Sequence, residues 1–406
     1  MITKTSIKNK AIYIWTFIII YMTDSLLFAT NADKFFINLN RFGVVFIAMF
    51  VFFKKAIVRR RKIPIYMILL SVSVMVSAIQ ADRLTNGYSY YTMIACLWFS
   101  YMLSDDISLD KFAQCYCDIM RVIAIVSLVA WIFARQIISM DFLPTITNSV
   151  GARYKFLFLT ATIMRGDIAK RNMGPFWEPG AYQVYLTLAL FFTLFIDKRK
   201  HRTSNIVIFI LASLSTLSGA ALIPILVLVI AYAFDKKRIK SAVLSIVILC
   251  SISVLFSTGT FDDITAKIRG ESENNSITYR LIGMEGAFKG FLENPVFGST
   301  PERNEEIKSE LAVKRLRQEY ASNTNTYINF LAYYGIFVGG FMLIKTFNMF
   351  RKNVSSPVAA FLCFLAYFLS TSNENMMGSL LIVFLAFVKN DAANTNGKEL
   401  IKYESG

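Results

Sequence analysis

The sequence predicts an all-α polytopic membrane protein of about twelve transmembrane helices. Apolar stretches of bilayer-spanning length recur from end to end, and lysine and arginine gather in alternate connections. Composition agrees: 55% of the 406 residues are hydrophobic and 17% charged, a balance outside the range of ordinary water-soluble domains. The whole chain, 1–406, is expected to form one integral membrane domain.

A hydrocarbon core about 30 Å thick takes roughly 20 residues at a 1.5 Å rise. On that measure the spans run Ala11 to Thr30, Phe35 to Phe53, Ile63 to Ile79, Tyr88 to Leu103, Ile119 to Ile138 and Ala181 to Ile196. They continue with Asn205 to Leu217, Ala220 to Phe234, Ala242 to Ser257, Asn325 to Phe347, Pro357 to Leu369 and Met376 to Val388. The seventh and eighth are separate only if Leu217, Ser218, Gly219 and Ala220 make a tight turn; one long span there would invert everything downstream. Charge favours the turn. It places Lys4, Lys8 and Lys10, the run Lys54 to Lys62, the cluster Lys198 to Arg202, the cluster Lys236 to Lys240, and Arg351 with Lys352 on one side. By the positive-inside rule that side is the cytoplasm, and both termini are expected there, in a bacterial inner membrane.

Topology thereby accounts for much of the net charge of +16, so the basic balance does not call for nucleic acid. The first span is too long for a cleaved signal segment and lacks a small-x-small site, so it reads as retained. Cys96, Cys115, Cys117, Cys250 and Cys363 all fall in or beside spans, with no disulfide framework or metal-ligand spacing. No metal or other cofactor is expected. The one histidine, His201, lies in a cytoplasmic basic turn, which removes histidine chemistry from the outer face.

Function is therefore sought in two long outer loops, 139–180 and 258–324, both expected to be periplasmic and to contain short helices. In the second, Ile277, Leu281, Met284, Phe288, Phe291 and Leu292 recur at helical spacing before the stop Asn294-Pro295-Val296-Phe297-Gly298. A further helix is expected over Glu302 to Tyr320, with Glu310 and Lys314 at i,i+4. Within the spans, Asp24 and Arg41 fall at similar depth on adjacent helices; since an isolated charge there costs roughly 2.5–3.5 kcal/mol, an ion pair is the economical expectation.

The outer loops also carry arginines that the topology rule does not explain. Guanidinium stays charged and grips phosphate bidentately, so Arg171 and Arg280 suit a lipid pyrophosphate held over the membrane, while the other loop cations, Arg165 and Arg269 among them, could equally solvate the loops or touch anionic headgroups. Arg171 opens the run Arg171-Asn172-Met173-Gly174-Pro175-Phe176-Trp177-Glu178-Pro179-Gly180, in which Glu178 sits between Trp177 and Pro179. A carboxylate so flanked is a candidate general base, and loop capping is the bland alternative. Glu374, in Ser372-Asn373-Glu374-Asn375, is the second candidate carboxylate. Asn325 and Tyr327 stand where the tenth span opens, and Asn325 also suits a helix cap.

The run Arg171 to Gly180 resembles the R-x-x-G-x-F-x-E-P pattern of bacterial O-antigen and exopolysaccharide polymerases, relatives of the O-antigen ligases. Tyr279-Arg280 followed by Gly290 to Gly298 is similar to that family's Arg-led helix and N-P-x-x-G turn. Asn323 to Ile336 is similar to its H-N-x-Y-L…G-I segment, with Thr324 where ligases commonly carry histidine. The resemblance implies a GT-C-like glycosyltransferase that moves a glycan from undecaprenyl pyrophosphate to a sugar hydroxyl of another lipid-linked repeat unit. It implies Glu178, Arg171 and Arg280 as the catalytic set, Arg165, Arg269, Asn325, Tyr327 and Glu374 as substrate-binding residues, and a chain-length regulator as partner. The alternatives are an O-antigen ligase that delivers polymer to lipid A core, and a flippase for lipid-linked oligosaccharide. A flippase should show a cation-lined central cavity and an internal repeat; this sequence shows no repeat and collects its charges in two loops.

Overall fold

The computed structural model describes residues 4–58, 62–83, 87–164, 171–199, 201–236, 276–316 and 324–390. The described chain is mainly helical. In order it forms α1 (Lys4–Tyr21), α2 (Leu26–Ala29), α3 (Lys34–Phe52), α4 (Ile65–Gln80), α5 (Tyr88–Leu103), α6 (Leu109–Ile132), α7 (Ala134–Ser139), α8 (Pro179–Phe191), α9 (Arg202–Ser215) and α10 (Gly219–Lys236). After 276 come α11 (Ser276–Glu293), α12 (Pro301–Leu316), α13 (Thr326–Asn353), α14 (Pro357–Thr371) and α15 (Leu380–Leu385). Single π-helical segments, Phe53–Val58 and Phe192–Ile196, continue α3 and α8.

Among the described residues, four helical stretches are long and apolar enough to cross a bilayer: Lys34–Lys55, Leu109–Ile132, Pro179–Ile196 and Thr326–Asn353. Lys10–Tyr21, Ile65–Gln80, Arg202–Ser215, Leu222–Asp235 and Pro357–Thr371 are shorter apolar helices. The arrangement is compatible with a polytopic membrane protein. The expected ninth span, Ala242 to Ser257, lies outside the described residues.

Helix α8 is the centre of the bundle, with every residue from Gly180 to Phe191 buried. Around it α6, α9, α10 and α14 pack, whereas α3 and α4 keep Phe42, Phe46, Met49, Ile65 and Leu69 exposed, as lipid-facing helices do.

Polar contacts sort to the two ends. At one end Arg199 donates to Asp118 and Asp197 at 2.8 Å each, Lys55 pairs with Asp106 at 2.7 Å, Lys389 with Asp105 at 3.0 Å, and Asp235 accepts from the Ser355 amide at 2.7 Å. Several lysines and arginines that signal topology in the sequence thus also hold loops together. The opposite end gathers the ends of α1, α4, α6, α9 and α14, the starts of α8 and α13, and the hairpin of α11 and α12.

Three expectations need correction. The loop 139–180 contains strands after α7 rather than further helices: β1 (Thr145–Thr147), β2 (Arg153–Phe156) and β3 (Ala161–Ile163) form an antiparallel sheet in the order β1-β2-β3. Alternation in Thr-Ile-Thr and Arg-Tyr-Lys-Phe around a Val150-Gly151 turn was the available signal. The first expected span breaks at Tyr21, because the Leu26 amide donates to the Pro175 carbonyl at 2.8 Å and Ser25 bridges Phe176. The last, Met376 to Val388, holds only the 6 residues of α15 as helix, a length of about 9 Å that does not cross a bilayer.

The turn between the seventh and eighth spans and the helix stop before Asn294 follow expectation. The chain turns after Ser215, with Leu217 at φ 45°, and starts α10 at Gly219. Helix α11 ends at Glu293, directly before the Asn-Pro turn. That turn docks on a break in α13: Gly335 lies at φ 67°, ψ −168°, and the Ile336 amide donates to the Pro295 carbonyl at 2.9 Å. The Ser299 amide donates to the Ala332 carbonyl at 2.7 Å. Gly298 and Gly335 both take positive φ, and a Cβ on either would strike the other segment's backbone. The two glycine-bearing motifs are therefore one joint, and it fixes the hairpin that carries Arg280.

Candidate functional site

The site begins with the way 171–180 is threaded. Arg171 is anchored by its Nε donating to the Thr216 carbonyl at 3.0 Å, in the turn strained at Leu217. Next to it, Asn172 exchanges with that turn, its amide donating to the Ser215 carbonyl at 3.0 Å and its side chain to the Ser215 hydroxyl at 2.9 Å. Gly174 takes φ 54° and passes its carbonyl to the Ala161 amide of β3 at 2.7 Å. Phe176, fully buried, stacks on Tyr185 with centroids 4.1 Å apart. The chain then rises to Glu178, the N-cap of α8, in extended conformation (φ −148°, ψ 154°), with Pro179 pre-set for the first helical turn. Glu178 makes no capping hydrogen bond with its side chain and is exposed. The loop-capping alternative therefore does not describe it.

Glu374 comes from the other side. It stands in the turn between α14 and α15, and the Thr326 hydroxyl holds that turn in place. This hydroxyl lies 2.9 Å from the Glu374 carbonyl and 3.2 Å from the Thr371 carbonyl, and it accepts from the Met376 amide at 3.0 Å. Asn325 adds a second tie, donating to the Ser372 hydroxyl at 3.0 Å. So fixed, the Glu374 carboxyl is buried against Gly180, where a Cβ would collide with its Oε1. It hydrogen-bonds Glu178 and receives the Trp177 indole N–H.

Burial, first, and the adjoining Glu178 carboxylate, second, push the Glu374 carboxyl well above the usual carboxylate range; Arg280 and Trp177 oppose them. Two carboxyl groups this close resist ionising together, and Glu374, the buried one, is the one pushed toward keeping its proton. Arg171 senses the same set. Burial lowers its affinity for the proton, Glu178 and Glu374 raise it, and Arg280 lowers it. Arginine still remains charged. Tyr154, on β2, completes the wall: burial raises its hydroxyl, Glu178 raises it further, and that hydroxyl accepts from Asn148 at 3.1 Å.

Of the residues singled out in the sequence, Arg171, Glu178, Arg280 and Glu374 therefore share one site. Arg280, on α11 and 102 positions beyond Glu178, acts electrostatically on both Arg171 and Glu374. Arg165 and Arg269 lie outside the described residues. Asn325 is the helix cap that its position allowed: at φ 75° and nearly fully buried, it caps α13 by accepting from the Ile328 amide at 3.0 Å. Tyr327 departs from expectation. It is fully buried between α13 and α14, its hydroxyl donating to Thr346 at 3.2 Å and its ring stacked 6.0 Å from Phe368, because the first turn of α13 points it into the bundle.

The expected ion pair of Asp24 with Arg41 does not form. Asp24 accepts hydrogen bonds from Thr23, Tyr185 and Ser379, and Arg41 lies over the Tyr88 ring at 5.7 Å. Equal depth on neighbouring helices says nothing of rotation about their axes, and here the two side chains face different partners. Trp177, adjoining Glu178 in the same run, and Tyr154, on a strand only four residues long, also belong to the site.

Comparison with protein families finds a match between residues 203–344 and the family described as O-antigen ligase (Wzy_C). The matched stretch runs from α9 into α13 and includes Arg280, the Asn294 to Gly298 turn and the Gly335 break. It supports the O-antigen ligase and polymerase superfamily, whose members are membrane glycosyltransferase-like enzymes. No curated protein matches the chain.

Proposed function

We propose that this protein is a repeat-unit polymerase of O-antigen or exopolysaccharide, acting at the periplasmic face of the bacterial inner membrane. Donor and acceptor are both oligosaccharides on undecaprenyl pyrophosphate. The observation that carries the reading is the Glu374 carboxyl packed against Gly180 beside an exposed Glu178, with Arg171 and Arg280 near enough to act on the pair electrostatically.

Glu178 takes the proton of the acceptor sugar hydroxyl as that oxygen bonds to the donor's anomeric carbon. The bond from that carbon to the pyrophosphate oxygen breaks, and its electron pair leaves with the lipid pyrophosphate. The leaving group needs charge stabilisation more than protonation, which Arg171 and Arg280 supply. Glu374, holding its own proton, orients Glu178 by donating to it and leaves it the one carboxylate able to accept another.

The ligase reading draws support from the description of the matched family. Thr324, buried where the resemblance puts the ligase histidine, argues against it, and among the described residues His201 lies at the opposite end of the bundle. Surface polysaccharide on a gel separates the two. A deletion strain that retains a single repeat unit on lipid A core indicates a polymerase, and complementation with Glu178→Gln should leave that phenotype uncorrected. Loss of all attached repeats, with polymer accumulating on its lipid, would indicate a ligase.

A further inference from the structure

Asp24 is nearly fully buried, at the point where α1 stops. A carboxylate in such a place is costly unless hydrogen-bonded. Its Oδ2 gathers three hydroxyls: Thr23 at 3.0 Å, Tyr185 and Ser379. Those donors come from three parts of the chain. Tyr185 lies two turns into α8, the helix that starts beneath Glu178, and Ser379 caps α15, five residues beyond Glu374. Thr23 adds a second link, accepting from the Leu380 amide at 3.0 Å. Tyr185 is itself held on both sides, its carbonyl accepting from Tyr116 at 3.0 Å and its ring stacked on Phe176.

The helix that presents Glu178 and the segment that presents Glu374 are therefore clamped by one carboxylate below the site. Their contact has no slack. Gly180 leaves no room for a side chain against Glu374, so a small slide of α8 past the 374–379 segment would open or jam the carboxyl pair. Displacements of about 1 Å are enough to cost on the order of 100-fold in rate.

We infer that Asp24 is a positioning residue, setting the register of Glu178 against Glu374 through the hydroxyls of Tyr185 and Ser379. The inference rests on the transferase reading of the site.

The test uses full-length protein in nanodiscs, with repeat units on their lipid pyrophosphate extracted from the deletion strain as probe. Asp24→Asn keeps the size of the side chain and is expected to lower kcat about 10- to 100-fold with KM within about threefold, since the binding arginines stand elsewhere. In a Glu374→Ala background, where nothing remains to be positioned, Asp24→Asn should cost less than about threefold more. A multiplicative loss in both backgrounds, or an unchanged kcat in the single variant, overturns the inference. If Asp24→Asn fails to fold, Tyr185→Phe and Ser379→Ala each remove one donor and should reproduce the kcat loss and its disappearance without Glu374; normal kcat in both overturns it equally. Glu178→Gln, assayed alongside, separates the two ideas. Wild-type turnover there sinks the site assignment, whereas loss there with a normal Asp24→Asn sinks only the positioning role.

Discussion

At the level of single residues, the pairing of Glu178 with Glu374 makes substitutions at two chemically identical side chains differ. On the proposed mechanism, Glu178→Gln removes the exposed proton acceptor and should abolish polymer. Glu374→Gln keeps a neutral donor in the buried position and should cost only several-fold, while Glu374→Ala, which leaves Glu178 unoriented, should cost at least about tenfold more than that. Turnover of the three purified proteins checks the order, and equal losses at both positions would refute the division of roles. Stability carries a second sign. Glu374 holds its proton more tightly folded than unfolded, so the folded form binds more protons from about the ordinary carboxyl value of 4.5 upward. Stability should then fall as pH rises through that window, until Glu374 itself ionises, and Glu374→Gln should flatten this part of the curve. Thermal midpoints of wild type and variant measured across pH in one detergent would show it; parallel curves would mean that Glu374 is not the group responsible. The sequence made Arg171 and Glu178 legible because they stand seven positions apart in one run. It left Glu374 as a secondary candidate because nothing local in Ser-Asn-Glu-Asn announces the Thr326 hydroxyl and Gly180 that bury it.

Among the elements, the joint of the Asn294 to Gly298 turn with the break in α13 decides where Arg280 stands. Gly335 occupies a positive-φ conformation, and an added Cβ would meet the Val296 carbonyl. Gly335→Ala should therefore destabilise the protein by about 1–3 kcal/mol through backbone strain and the displaced turn, and lower turnover more than any loss of folded protein explains. Helix periodicity revealed α11, and the Asn-Pro motif its end. What periodicity could not reveal is that the turn and the late glycine are partners, since they are nearly forty positions apart and joined only by the docking of α11 on α13. The sheet of β1 to β3 was missed for a different reason. Its strands are three or four residues long and lie in a stretch read for loops, although their alternation was visible.

For the whole molecule, hydrophobic content and charge alternation fixed the class, and neither could supply the lengths of individual helices. Packing sets those, as α1 shows by stopping and α15 by starting where Asp24, Thr23, Ser379 and Leu380 satisfy one another. The polar contacts nevertheless divide cleanly between two ends, with Arg199, Asp235 and Lys389 at one and Glu178, Arg83 and Glu302 at the other. If a bilayer lies between these ends, and the positive-inside rule orients it, residues of the sheet face the periplasm and those preceding α9 face the cytoplasm. Val150 and His201 are both exposed, one at each end. The four described cysteines, Cys96, Cys115, Cys117 and Cys363, are buried and unpaired, so an introduced thiol reports on its own position once Cys250 is replaced by serine. In that background Val150→Cys should react with a membrane-impermeant maleimide in intact spheroplasts, and His201→Cys only after permeabilisation. Labelling of both from the same side would mean an odd number of crossings is wrong between residues 150 and 201, and would detach the Arg171 and Glu178 site from the periplasmic chemistry proposed for it.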